Sequence, residues 1–147
     1  MSDEEFNLAD PAHGAAIIAQ WDGINAPDKT KELHAHWSQD MNLSTARWVW
    51  IKFAKPSWIM RARFNKTNPD CYPAEFAGYY SIDNGHLMVS LFEERKIMLG
   101  EKDTFVERGI APVYSDNILL VFAKFSNPDK SYLPKLEDIQ VMGYFDE

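Results

Sequence analysis

The chain has 147 residues, 15 basic against 22 acidic side chains for a formal charge of −7, and a composition 46% hydrophobic, 25% charged and 14% aromatic. That balance excludes a disordered tail and predicts one ordered domain over residues 1–147, which would bury roughly 70% of the surface its unfolded chain exposes. It also argues against nucleic acid and anionic membranes as partners, because the long-range field repels both.

Residues 1–7 are acidic and predicted to fray, and Met1-Ser2-Asp3-Glu4-Glu5-Phe6 offers neither the basic nor the apolar segment of a secretion leader, so the expected location is cytoplasmic. Asp10-Pro11 sets a capping carboxylate before a proline at a first helical position. The expectation is a helix from Ala12 to about Asp22, with Ile17, Ile18 and Trp21 on one side and Gly23 as its stop. A strand ending at Trp21 competes, since Ala15 to Ala19 has no polar interruption. Asp28 caps a second expected helix over Lys29 to Asp40, where Leu33, Trp37 and Met41 recur every four residues. His34 and His36 then point about 200° apart on that helix, so no metal is expected there.

From residue 45 to 145 the hydrophobic period is two. Ala46 to Ala54 and Ser57 to Phe64 read as strands, and taking Lys55-Pro56 as a complete turn makes them a hairpin. In that register Phe53 faces Trp58, Ile51 faces Met60 and Val49 faces Ala62 on a core side. Trp50 would face Arg61, and Trp48 would face Arg63, as a ladder on the other side. Cys71 cannot close an internal disulfide, and no histidine adjoins it in sequence to make it a nucleophile. Glu75 to Ile82 and His86 to Phe92 form a second expected hairpin through Asp83-Asn84-Gly85, pairing Ile82 with Leu87 and Tyr80 with Val89. Tyr80 is expected to be more buried than Tyr79, and Asp83 to face His86. Glu93-Glu94 are offset by Arg95-Lys96. Further strands are expected at Lys96 to Leu99, Thr104 to Glu107, Asn117 to Phe125 and Asp138 to Phe145.

These elements make an α+β fold: two N-terminal helices over 11–40, packed on or capping a strongly curved, mostly antiparallel sheet of six to eight strands, cone- or barrel-like. Ile118, Leu120 and Phe122 alternate with Leu119, Val121 and Ala123, so both faces of that strand need cover. A cavity-bearing barrel or a homo-oligomer interface would supply it.

Trp48, Trp50, Arg61 and Arg63 are accordingly the candidate ligand-binding residues, for a small amphipathic or anionic organic molecule. The structural alternative is that the tryptophans cover the sheet while the arginines snorkel past them to water. On one reading the domain only binds. On another it is a cofactor-free cyclase, isomerase or dehydratase, with His86 and Tyr80 as the groups that move protons. No cofactor is expected, for the chain has no phosphate-binding glycine loop, Gly-x-Ser-x-Gly elbow or Cys-x-x-Cys pair. The third reading is an acidic interaction module, such as an inhibitor or immunity protein against a basic toxin or nuclease.

Overall fold

The computed structural model describes residues 5–22, 47–65, 72–82, 87–94, 97, 105–125 and 138–145. Their regular elements are β1 (Phe6–Asn7), β2 (Ala16–Asp22), β3 (Arg47–Asn65), β4 (Pro73–Ile82), β5 (Leu87–Glu94), β6 (Phe105–Phe125) and β7 (Ile139–Phe145), with one 3-10 turn at Pro11–His13. All strand pairs are antiparallel.

Two long strands organise the rest. β3 has 19 residues and β6 has 21, and each runs through two layers. In layer one, the first half of β3 pairs with β2 and with the second half of β6, which continues to β4 and β5. In layer two, the second half of β3 pairs with the first half of β6 and with β7, which continues to β1. The layers part where Lys52 opposite Asn117 gives way to Ser57 opposite Ser115. There Phe53, Ala54, Lys55 and Pro56 stand against Asp116 alone, a bulge that bends both strands together.

Between the layers lies the main core. Val49, Ile51, Phe53, Ile118, Leu120, Phe122 and Phe76 come from layer one, and Ile59, Ala62, Phe64, Val106, Ile139 and Val141 from layer two. Phe64 bridges the layers by meeting Phe76 edge-on at 4.9 Å and Phe122 at 5.6 Å, while Phe76 and Phe122 stack at 5.1 Å. The reverse face of layer one carries a second buried cluster of Trp48, Ala77, Tyr79, Leu119 and Val121, with Trp50 packed against it. Cover on both faces of the 118–122 segment, expected from its continuous apolar run, is therefore found.

The α+β expectation is overturned. The Asp10 side chain does accept from the Ala12 N–H at 2.9 Å and Pro11 does start a turn, but that turn ends at Gly14, which holds φ 89°. A residue without Cβ takes this left-handed conformation freely and stops the helix after one turn. Ala16–Asp22 is then a strand paired with β3, as the competing reading had it, because β-branched Ile17 and its neighbours gain a ladder there that outweighs weak helical preference, with Ile18 alone left out at a register shift. Among the described residues there is no α-helix, and the second expected helix over 29–40 lies outside them. The sheet is open rather than barrel-like, with β1, β2 and β5 each pairing on one side only. Lys55-Pro56 is not a hairpin turn: β3 runs straight through it, and proline, lacking an N–H, is tolerated because the ladder is interrupted there. The strands expected at Thr104–Glu107 and Asn117–Phe125 are not separate: residues 105–107 and 117–125 belong to the single strand β6, and Thr104 lies outside the described residues. The β4–β5 pairing is as expected, with Ile82 opposite Leu87 and Tyr80 opposite Val89.

Asn117 ties the bend to the neighbouring strand. Its Oδ1 accepts from the Ser81 N–H at 2.8 Å and from Trp50 Nε1 at 3.1 Å, and its Nδ2 donates to the Ser81 carbonyl at 3.1 Å and to Asp116 Oδ1 at 2.8 Å. Its backbone N–H donates to Ser115 Oγ at 3.2 Å. An Asn117→Ala change strips the Ser81 amide and carbonyl of these partners, and buried polar groups left unmatched are costly. The expected loss is about 2–3 kcal/mol, read as a lower urea midpoint at unchanged slope. An unmoved midpoint would mean that the side-chain amide does not hold the bend.

Candidate functional site

The outer face of layer two carries a group of aromatic and charged side chains open to solvent. Register places Tyr114, Trp58 and Tyr144 in one row across β6, β3 and β7. The Trp58 and Tyr114 rings lie 5.3 Å apart and tilted by 48°, and Tyr114 is 47% exposed. Met60 sits in a bulge between Ile59 and Arg61. The bulge inverts the alternation, so Ile59, Ala62 and Phe64 stay in the core while Trp58, Arg61 and Arg63 share the outer face. The next row is Gly109, Arg61 and Met142, the one after it Glu107, Arg63 and Gln140, and Asn65 faces Phe105 at the far end.

Arg61 is held by a residue two strands away. Glu5 precedes β1 and reaches over β7, so that Arg61 Nη2 lies 3.0 Å from Oε1 and 2.9 Å from Oε2. β1 is fixed in register because Asn7 Oδ1 accepts from the Val141 N–H at 2.9 Å and the Ala9 N–H at 3.1 Å, while the Leu8 N–H donates to the Val141 carbonyl. The hydrogen bond to Glu5 and the Glu5 charge raise the Arg61 guanidinium above its ordinary range, with Glu107 adding a smaller push. Arg63 Cζ lies over the Phe105 ring, 3.7 Å from its centroid, and Nε donates to Asn65 Oδ1 at 3.4 Å. Two guanidiniums, Arg61 and Arg63, stand with two carboxylates, Glu5 and Glu107, so this set of four carries no net formal charge on a chain of −7.

The expected binding residues do not share a face. Trp48 is fully buried in the reverse-face cluster of layer one and Trp50 packs beside it, whereas Arg61 and Arg63 lie on the outside of layer two. Trp50 pairs with Leu119 and Ala19, and Arg61 with Gly109 and Met142, in place of each other. Tyr80 is half-buried in layer one, and Tyr79, not Tyr80, is the buried one of that pair. His86 lies outside the described residues, as do Asp83, His34, His36 and Cys71. Trp58, Tyr114, Tyr144, Glu5 and Phe105 were not singled out from the sequence. The expected hairpin puts Trp58 on the core side, and Tyr114 falls between the strands expected from the sequence. The usable signal was the unbroken period of two running through Pro56.

No protein-family model matches this sequence, and no curated protein matches it. Solved structures are similar in fold. A candidate chitobiase fragment from Bacteroides thetaiotaomicron superposes with a TM-score of 0.64 at 11% identity, over 99% of this chain and 96% of that one. The family 32 carbohydrate-binding module of Streptococcus pneumoniae EndoD gives 0.58 at 13% identity, over 97% of this chain and 100% of that one. Allantoicase from Saccharomyces cerevisiae gives 0.57 at 14% identity, over 95% of this chain and 43% of that one. The likeness is one of fold, the β-sandwich of carbohydrate-binding modules.

Trp58 depends on close backbone approach: a Cβ at Gly143 would collide with the Trp58 carbonyl oxygen and lie 2.8 Å from Leu8 Cδ1. Gly143→Ala is therefore expected to cost about 1–3 kcal/mol by overpacking. Arg61→Met and Glu5→Gln remove only a solvent-accessible pair, with Arg61 side chain 43% exposed, and should leave the urea midpoint within error of the parent. Circular dichroism during urea unfolding checks all three, and a large loss in Arg61→Met would make that pair a structural element.

Proposed function

We propose that this domain binds carbohydrate on the outer face of layer two. The observation that carries the reading is the aromatic row Tyr114–Trp58–Tyr144 lying directly beside the Arg61–Glu5 pair. A pyranose ring has a C–H face and a rim of hydroxyls. The face packs on aromatic rings, whose exposed apolar area is otherwise unfavourable in water. Each hydroxyl both donates and accepts, so a guanidinium beside a carboxylate matches two neighbouring hydroxyls at once. Arg61 and Glu5 are already ordered against one another, which lowers the entropy lost on binding.

The balanced charge of the face favours a neutral sugar over the anionic ligand expected from the sequence. Fold likeness to the EndoD module and to the chitobiase fragment supports the same reading, although fold alone does not choose a function. Of the two groups expected to move protons in a cofactor-free reaction, Tyr80 stands in layer one, apart from Arg61 and Arg63 in layer two, and His86 lies outside the described residues. A basic protein partner would be drawn by the overall charge of −7, a field that the four balanced charges on this face do not reproduce.

Isothermal titration with neutral oligosaccharides tests the proposal. Trp58→Ala is expected to weaken binding about tenfold or more, and Arg61→Met about tenfold, with both variants folded. Binding that both variants retain in full would place the ligand elsewhere.

A further inference from the structure

The accessible face of layer two continues well beyond its aromatic row. Following β3 from Trp58, it passes Arg61 and Arg63 and reaches Asn65, whose cross-strand neighbour on β6 is Phe105. Phe105 is 41% exposed and carries the Arg63 guanidinium over its ring. This makes a second platform, apolar underneath and edged with N–H donors. At about 3.3 Å per residue, allowing for the bulge at Met60, the two platforms lie roughly 20 Å apart, further than one pyranose can reach.

The ground between them suits a sugar chain. Arg61 and Arg63 supply donors, Glu5 and Glu107 supply acceptors, and Gln140 supplies both. Gly109, directly opposite Arg61, leaves the middle open: a Cβ built there meets nothing within 4 Å. Two stacking ends, a mixed polar middle and a vacant strip describe a surface made for length rather than for one terminal residue.

We propose that this face binds an extended neutral β-linked oligosaccharide, with one ring on the Trp58 row and a later ring on the Phe105–Arg63 corner. Equatorial linkages keep successive rings in one ribbon, so their C–H faces meet a sheet surface together, and each further contact is made at high effective concentration. The inference rests on the carbohydrate reading given above. It adds the polymeric class of the ligand and a second subsite.

The test is calorimetric titration of the folded protein with cello- and chito-oligosaccharides from disaccharide to hexasaccharide. In the parent, affinity for the hexasaccharide of the preferred series should exceed that for its disaccharide about tenfold or more. The readout is this ratio. Phe105→Ala and Arg63→Met should bring it close to one, and so should Gly109→Leu, which fills the open strip without strain. A ratio near one in the parent, or a large ratio kept in all three variants, overturns the extended site while leaving the carbohydrate reading intact. Disaccharide binding unaffected by Trp58→Ala overturns that reading and this inference together, whereas a parent that binds neither series overturns this inference alone.

Discussion

The structure depends on the bend that β3 and β6 make together. Four residues of β3 against one of β6 cannot continue a flat ladder, so the pair turns, and its two halves become strands of different layers. Everything else attaches to one half or the other. β2, β4 and β5 complete layer one, β1 and β7 complete layer two, and the phenylalanines at 64, 76 and 122 fill the space that the bend creates. The corner itself is polar: Asn117 joins backbone and side-chain groups of Ser81, Trp50, Asp116 and Ser115 in one buried network. Satisfying these groups where the regular ladder is interrupted removes the penalty that unmatched buried amides would impose.

The two layers differ in what they expose, and this decides where a ligand can bind. The centre of layer one is buried on both faces, with Trp48, Tyr79, Leu119 and Val121 closed on the reverse side, while Ile18 and Ile82 at its margins are exposed. Layer two is buried only on its inner side. Its outer side keeps Tyr114, Phe105 and the two arginines in contact with solvent. An antiparallel sheet with one wet face normally alternates apolar-in and polar-out, so aromatics in a row on the wet face are a departure that packing does not require. Their neighbours are equally directed. Glu5 is brought to Arg61 by the short strand β1, held in register by Asn7, so the polar half of the site depends on the chain's N-terminal end being stitched to β7.

Much of this was legible residue by residue. The strand character of β3 to β7, the register of β4 with β5, the capping acceptor at Asp10 and the apolar run at 118–122 are local patterns found in the described residues. The errors came from deciding how far a local signal extends. Asp10-Pro11 does start a helical turn, but two glycines, Gly14 and Gly23, offer a local stop, and only the pairing with β3 shows that the first is used. Lys55-Pro56 carries turn chemistry, and a bend between layers needs that chemistry as much as a hairpin does.

The sequence by itself determined the strand period of β3 to β7 and which segment is apolar on both sides. It did so because alternation and side-chain type are properties of neighbouring residues. Only the tertiary structure decided which tryptophan meets which arginine. That choice turns on whether β3 reverses or continues at Pro56 and on the one-residue bulge at Met60, each of which reassigns every following side chain to a face. Both are settled by pairing with β6 and β7, whose residues lie some 50 to 80 positions further along the chain.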